Sequence, residues 1–345
     1  MHSLNNIRSI QKKELEDLAV SKGHSSFRGR QVYEWLWKKS VPGFDHMTNI
    51  PKEFRDFLKE NYFIGKVIVD HFQKSRDRTI KNAFKLHDGA LIEGVLIPTE
   101  TRMTACVSSQ VGCSLSCKFC ATGKLERIRN LDFFEIYDQV NIINQQAIEN
   151  YKIPLSNIVY MGMGEPLLNY SNVWKSIEMV TSPEGMGMSP QRITVSTAGI
   201  AKMIHKLADD GAKFNLALSL HAANDDKRDQ IMPINESNKL ESLHEALLYF
   251  YKKTGNRPTL EYIVFDNFND SEQDAKELVT FARKLPTKIN LIEYNPIDGG
   301  EFQNVKDNNL KKFIQILEYN KLIVNVRRSR GKDIDAACGQ LANKG

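Results

Sequence analysis

From about residue 102 the sequence alternates regularly between short apolar runs and amphipathic stretches, and few folds accommodate such a pattern. The runs are MTACVS, SNIVYMG, RITVSTAG, FNLALSLH, TLEYIVFD, INLIEYNP and LIVNVRRS. Between them lie helical patterns at roughly 132–150, 171–180, 200–209, 239–253, 272–284 and 306–319. Short β-branched runs separated by helices of ten or more residues are successive βα units around a parallel sheet. Six or seven such units predict an α/β fold, a partial (βα)6-type barrel. A doubly wound open sheet shows the same alternation, so closure is left open. MGMGEP, STAG, SLH and YNP each follow a strand-like run. In parallel βα architectures ligands sit at the C-terminal strand ends, so these four stretches converge on one pocket.

The first hundred residues differ. Residues 1–62 place apolar side chains at three- and four-residue spacing in SIQKKELEDLAVSKG, RGRQVYEWLWKKS and PKEFRDFLKENY, which predicts a helical accessory domain. Residues 63–98 hold KVIVDHFQ, TIKNAFKLHDG and LIEGVLIP, turn-bounded runs that predict a β-hairpin linker region. Residues 99–345 then form the barrel and its C-terminal loop. No apolar run approaches a membrane span and the N-terminus lacks a signal-like apolar core, so the expectation is a cytoplasmic protein without membrane contact. No segment suggests self-pairing, which favours a monomer.

Net charge is a mild +5, but its distribution is uneven. Lys22, Arg28, Arg30, Lys38 and Lys39 oppose the single acid Glu34 within residues 22–39, and residues 327–332 read RRSRGK. A solvated basic face and a polyanion-binding face both fit.

Four of five cysteines lie in CVSSQVGCSLSCKFCATG, residues 106–123, and the fifth, Cys338, is near the C-terminus. An odd count in such a chain argues for metal or redox chemistry over structural disulfides. Cys113, Cys117 and Cys120 form C-x3-C-x2-C with Phe119 before the last. Thiolates at this spacing suit zinc or an iron–sulfur cluster. Structural zinc usually takes four protein ligands, often as two C-x2-C pairs, and only one such pair is present. Cys106 lies on a strand-like run instead of in the loop. Three thiolates on a four-iron cubane leave one iron free for another ligand, and C-x3-C-x-aromatic-C is the signature of the radical S-adenosylmethionine enzymes.

With that motif, MGMGEPLLN, LALSLHAANDDKRDQIMPIN and RGKDIDAACGQL, the chain resembles the dual-specificity RNA adenine-C2 methyltransferases of that superfamily. The resemblance runs from about Glu93 to Leu341, and FRGRQVYEWLW in the helical segment is similar to the family's accessory domain. It implies that Cys113, Cys117 and Cys120 ligate a 4Fe-4S cluster. It implies that Gly164, Glu165, Ser196, Ser219, Leu220, His221 and Asn295 contact S-adenosylmethionine, two molecules of which are used per turnover. From the residues alone, the glycines of MGMGEP permit close approach of backbone to a ligand, and Glu165 suits an ammonium group. His221 by itself reads as a packing or hydrogen-bonding histidine.

Adenine C2 lies between two ring nitrogens and is too electron-poor to attack a methyl cation equivalent, whereas a carbon radical adds there; the cofactor must carry that step. The resemblance implies that Cys338 first accepts a methyl group and then carries it to the RNA as a radical. Cys106 then releases the product, leaving a transient Cys106–Cys338 disulfide. It also implies a proton-accepting role for Glu93, which local pattern places on a solvent-facing strand position. Local pattern alone reads Cys338 as a small apolar residue, while Gly331 and Gly339 predict a mobile loop around it.

The implied partners are 23S rRNA, transfer RNA and a flavodoxin-type electron donor. Arg327, Arg328, Arg330 and Lys332 are candidates for phosphate contact. Trp35 and Trp37 fit either RNA contact or core. Two alternatives stand beside this reading. One is the sister group that methylates adenine C8, which shares all five cysteines. The other is a non-catalytic, zinc-stapled RNA-binding protein.

Overall fold

The computed structural model describes residues 4–343. Three helices come first: α1 (Lys12–Ser21), α2 (Ser26–Trp37) and α3 (Lys52–Asn61). The strands that follow are β1 (Ile68–Lys74), β2 (Ile80–Lys85), β3 (Leu91–Pro98), β4 (Met103–Cys106), β5 (Asn157–Tyr160), β6 (Ile193–Thr197), β7 (Asn215–Ser219), β8 (Thr259–Ile263), β9 (Lys288–Ile292) and β10 (Val324–Arg327). Between the later strands lie α4 (Phe133–Tyr151), α5 (Tyr170–Thr181), α6 (Ala201–Asp209), α7 (Asp225–Ile231), α8 (Leu240–Thr254), α9 (Glu272–Ala282) and α10 (Asp307–Tyr319). Short α7, on DDKRDQI, has no long apolar period and was not expected.

These ten strands form one sheet in the order of the sequence, and four two-residue strands pair outside it. From β4 to β10 every pairing is parallel and each new strand adds to the same side. A doubly wound sheet reverses its order at a switch point, and here it never does. The winding is that of a barrel. Among the described residues β10 pairs only with β9, so the barrel is partial. β4 has antiparallel β3 on its other side, and β1–β3 extend the same sheet as a meander. Within the segment 63–98, β1–β3 form one edge of the main sheet. Helices on one face and packed side chains on the other bury the parallel strands, whose residues, as in Leu216-Ala217-Leu218, are apolar in succession.

Capping residues start the helices where expected. Asp132 and Glu135 form a capping box on α4, and Ser271 and Asp274 one on α9. At Gly29, α2 crosses α1 so closely that a Cβ would lie 2.3 Å from the Leu15 carbonyl oxygen.

The helical segment is joined to the barrel through α4. Trp37 is 2% exposed, stacks on Phe133 with centroids 5.2 Å apart, and meets Tyr137 edge-on. This places Trp37 in the core. Trp35 is only half-buried, with Lys39 Nζ 3.6 Å above its ring. Arg8 lies over Trp37, and its Nη1 donates to Asp138 Oδ2 at 2.6 Å. Asp138 also accepts the Val67 amide. Both partners are buried, so cutting one leaves an uncompensated charge. We expect Asp138→Ala to cost about 3–5 kcal/mol in urea unfolding with an unchanged m-value. A loss below about 1 kcal/mol, as for a surface pair, would contradict this account.

Candidate active site

The C-terminal ends of the parallel strands deliver side chains to one mouth. Cys106 ends β4, Ser196 lies near the end of β6, Ser219 ends β7, Glu261 lies on β8 and Arg327 ends β10. All but Cys106 line an open cleft of about 960 Å³, together with Cys113, Cys117, Cys120, Gly164, Glu165, His221 and Cys338. A second cavity, of about 1090 Å³, is lined by Cys106, Cys338 and four arginines, Arg102, Arg327, Arg328 and Arg330. Cys338 and Arg327 belong to both.

The turns after the strands are held by side-chain bonds to backbone. Gln110 Oε1 accepts the Glu165 amide at 2.8 Å, and a Cβ on Gly164 (φ +93°) would lie 2.4 Å from Gln110 Cβ. The glycine is thus required by Gln110, a protein neighbour, in a turn that still lines the cleft. Glu165 is 3% exposed, and its oxygens accept the Leu167 amide at 3.0 Å and the Ala198 amide at 2.8 Å. Burial raises its pKa above the ordinary carboxylate range, and those amides offset part of the rise. Each oxygen keeps further acceptor capacity for a cation.

Arg228, on α7, ties two strand-end turns to the segment after its own helix. Its guanidinium donates to Leu220 O at 3.0 Å, Ser219 O at 3.1 Å, Ala198 O at 2.5 Å and Asn235 Oδ1 at 2.7 Å. Burial lowers its pKa to about 10, with the Cys117 and aspartate charges opposing. Sequence reasoning passed over Arg228 because an arginine in DDKRDQI reads as a solvated charge. Glu261 was missed likewise. It is 4% exposed, accepts from Asn290 Nδ2 at 2.8 Å, and faces Arg327 Nη1 at 3.4 Å.

His221 has φ +54°, a conformation held by Asn269, whose Nδ2 donates to its carbonyl at 2.6 Å. Its Nδ1 accepts the Ile263 amide at 3.1 Å, which puts the ring hydrogen on Nε2. Phe119 meets the imidazole edge-on at 4.6 Å. Leu220 differs from its neighbours: it is 0% exposed, its side chain packs in the core, and it does not line the cleft. Ser196 and Ser219 do line it, with their hydroxyls 3.4 Å apart. Asn295 lies outside that lining; its Nδ2 donates to the Cys338 carbonyl at 3.1 Å, and its buried Oδ1 has no partner among the described residues.

Glu93 is 1% exposed and lines neither cavity. Its Oε1 is 3.5 Å from Lys81 Nζ, and its Oε2 accepts the Ala342 amide at 2.8 Å. The strand position expected to face solvent is interior, and both carboxylate oxygens have protein partners.

The segment carrying Cys338 is tied down along its length. Asp77 and Asp333 pin its start, Ala121 N donates to Gly339 O at 2.7 Å, and Thr122 Oγ1 to Leu341 O at 2.6 Å. Gly331 and Gly339, expected to confer mobility, instead have φ +68° and +82° and make tight turns. Arg327, Arg328, Arg330 and Lys332 are exposed, and Lys332 pairs with Glu293.

All five cysteines are free thiols, so the Cys106–Cys338 disulfide named among the expectations is not present in this structure. Burial pushes the Cys106 thiol up to about 12 and Cys113 up to about 11. Cys117 and Cys120 are also raised by burial, and at Cys117 the other two thiols add to the rise. Cys338 is accessible through the cavities yet surrounded by protein, which raises it too, while Arg327 opposes the rise at both Cys338 and Cys106. Among the described residues no three His, Cys, Asp or Glu side chains close on one point as a single ion's ligands would. Three soft thiols spread around one cleft, each disfavoured as a thiolate by its surroundings, fit a polynuclear cationic iron–sulfur group that supplies the missing charge.

Burial, then Arg228, lowers the His221 pKa to about 3. Between that value and the ordinary one of about 6.5 the unfolded chain binds the proton and the folded chain does not. Its contribution is therefore intact above about pH 6.5 and is lost as pH falls, on the order of 4–5 kcal/mol by pH 3. We expect its imidazole NMR signal not to titrate between about pH 8 and pH 5. A midpoint in that range would refute the buried neutral assignment.

Comparison with known proteins fits this geometry. Residues 5–64 match the family model for the ribosomal RNA large subunit methyltransferase N-terminal domain, and residues 107–279 match that of the radical SAM superfamily. The chain is 61% identical over 338 residues to the probable dual-specificity RNA methyltransferase RlmN of Cytophaga hutchinsonii, covering 98% of this chain and 93% of that one. It is 59% identical to the protein of the same name from Christiangramia forsetii, over 98% and 96% of the two chains. A radical SAM methyltransferase structure from Sphaerobacter thermophilus superposes with a TM-score of 0.92 at 37% identity, covering 99% of this chain and 100% of that one.

Proposed function

Since the chain belongs to the RlmN dual-specificity RNA methyltransferases of the radical SAM superfamily, we propose that it methylates C2 of an adenosine in 23S rRNA and in transfer RNA through a methyl group carried on Cys338. The observation that carries this reading is the place of Cys338, the one thiol in the lining of both the three-cysteine cleft and the arginine-rimmed cavity. A carrier must face a methyl source on one side and RNA on the other.

Cys113, Cys117 and Cys120 would hold the 4Fe-4S cluster. Gly164, Glu165, Ser196, Ser219 and His221, which line the same cleft, would hold S-adenosylmethionine, two molecules per turnover. When bound, the pair supplies one-electron cleavage to a carbon-centred radical, with electrons from a flavodoxin-type donor. Neutral His221 offers an Nε2–H donor, and Glu165 a carboxylate whose position its two amide bonds fix.

Cys338 holds the methyl carbon as a thioether. That carbon gives up one hydrogen atom to the carbon-centred radical and bonds to adenine C2. The C2 hydrogen leaves as a proton with Glu93 as its acceptor, the odd electron would return to the cluster that supplied it, and RNA is tied to protein. Cys106 frees it. Its thiolate bonds to the Cys338 sulfur, the sulfur–carbon bond breaks with its electrons on carbon, and the carbon takes a proton. A thiol reductant then returns the two sulfurs to thiols. Arg327 favours the thiolate at both positions, and Arg102, Arg327, Arg328 and Arg330 suit phosphates flanking an unstacked adenosine. The exposed Lys22, Arg30, Lys38 and Lys39 of the helical segment, with half-exposed Phe27, suit contact with structured RNA.

Nucleoside mass spectrometry of ribosomal and transfer RNA from cells with and without the gene tests the reaction. Loss of 2-methyladenosine from both RNAs is expected; loss of 8-methyladenosine would move the activity to C8. In purified enzyme, Cys338→Ala should abolish methylation, at least about 10³-fold, as removal of a covalent carrier does. Cys106→Ala should accumulate an RNA–protein adduct on denaturing gels, and free methylated RNA from that variant would remove Cys106 from the release step.

A further inference from the structure

Methyl transfer to a thiol releases a proton, and burial holds that proton on Cys338 more tightly than on a free cysteine. The cleft therefore has to supply an acceptor. Besides the thiols, the carboxylates and imidazoles in its lining are His221, Glu165 and Glu261. His221 has one ring nitrogen free of hydrogen, Nδ1, and the Ile263 amide occupies it at 3.1 Å. Glu165 gives its oxygens to the Leu167 and Ala198 amides and, in the reading above, its charge to an ammonium group. Glu93 lines neither cavity. Glu261 remains. It lies mid-strand on β8, where alternation sets it on the same face as Ile263, also in the lining. Asn290 Nδ2, on β9, donates to its Oε1 at 2.8 Å, and Arg327 Nη1 approaches Oε2 at only 3.4 Å. One oxygen is anchored and the other lightly held, with acceptor capacity to spare. Burial raises Glu261 above the ordinary carboxylate range, against Arg327 and Asn290, which makes it a better base than an exposed carboxylate. Cys338 feels the same groups: Arg327 favours its thiolate, while Glu261 and Cys120 oppose it, and Cys338 in turn raises Cys106.

We propose that Glu261 is the general base that takes the Cys338 thiol proton when that thiol is methylated. The Cys338 sulfur bonds the methyl carbon, and the bond from that carbon to the donor sulfonium breaks with its electrons on the donor sulfur. The proton passes from Cys338 to Glu261 Oε2. A carboxylate and a sulfonium become a carboxylic acid and a thioether, so the step leaves no new charge in the cleft. Asn290 holds the carboxyl in place through the exchange. The inference rests on the reading of Cys338 as methyl carrier: it gives that reading's first step a base and leaves Glu93 its place at the C2 proton.

Glu261→Gln keeps an oxygen for Asn290 and removes the base, and two reactions of the same thiol test it. In cluster-loaded enzyme given S-adenosylmethionine, intact mass should show Cys338 methylated at least about 100-fold more slowly in the variant near pH 7. That rate should then climb on the order of tenfold per pH unit toward pH 9, as hydroxide replaces the carboxylate. Iodoacetamide on cluster-loaded enzyme without S-adenosylmethionine, read by peptide mass at Cys338, should respond in the opposite sense. With a neighbouring negative charge gone the thiolate fraction rises, and alkylation near pH 7 should be faster by about threefold or more. A carboxylate that only balances Arg327 would, on removal, speed both reactions, and that result would overturn the proposal. Equal methylation rates would overturn it too. So would unchanged or slowed alkylation, which would put Glu261 out of the thiol's reach, or methylation that stays slow at every pH. Wild-type enzyme with no methyl on Cys338 would overturn the carrier reading itself, whereas methylated wild type beside an equally fast variant removes only the role of Glu261.

Discussion

The site depends on one constraint, the unbroken parallel register from β4 to β10. Because each strand adds to the same side as the last, all C-terminal ends open on one mouth, and residues more than two hundred positions apart become neighbours. A parallel sheet needs long crossovers, and its strand-end turns are irregular backbone with unpaired amides and carbonyls. The protein satisfies these from inside. Arg228 takes carbonyls from the turns after β6 and β7, Asn269 takes those of His221 and Ile263, and Glu165 takes the amides of Leu167 and Ala198. The groups that shape the cleft are thus largely those that complete the hydrogen bonding of the turns. Substitution there changes the shape of the site before it changes any contact with a ligand.

Much of this was legible in the sequence. Period and turn signals located the seven parallel strands and the long helices, because each buries a whole face and its composition must follow. The three-cysteine loop was legible because thiols are rare and their spacing is chemical. What the sequence hid depends on distant partners. Glu93 sits in LIEGVLIP as a polar residue between apolar ones, the mark of a solvent face, yet the C-terminal segment covers that face of β3, with Lys81 beside it on the next strand. No local pattern encodes a cover supplied from residue 342. Arg228 and Glu261 read as surface charges for the same reason. Gly331 and Gly339 suggested freedom, whereas positive φ in a fully bonded turn is the opposite use of glycine.

The glycines of MGMGEP show how a correct position can rest on the wrong cause. They do line the cleft, but the close approach they permit is to Ser108 and Gln110. The turn is small because the strand-end loop after β4 packs against it. A ligand's room there is a consequence of protein–protein contact, so Gln110 shapes the cleft as much as the glycines do, and nothing in QVGC alone announces that.

The five thiols divide by the charge each one meets. Cys113, Cys117 and Cys120 share one cleft, their mutual repulsion adds to the cost of burial, and Arg228, the cation that moderates Cys117, is occupied by four hydrogen bonds. A set of anionic donors with so little protein compensation is suited to hold positive charge permanently. Cys106 and Cys338 face Arg327, which is 45% exposed at its side chain and itself balanced by Glu261. An arginine at a cavity edge stabilises a thiolate partially and can also meet a phosphate, so its help is greatest when no polyanion competes for it. These two thiols are poised to become nucleophiles in turn without remaining ionised. The same burial serves as ligand field on one side of the segment and as restraint on reactivity on the other.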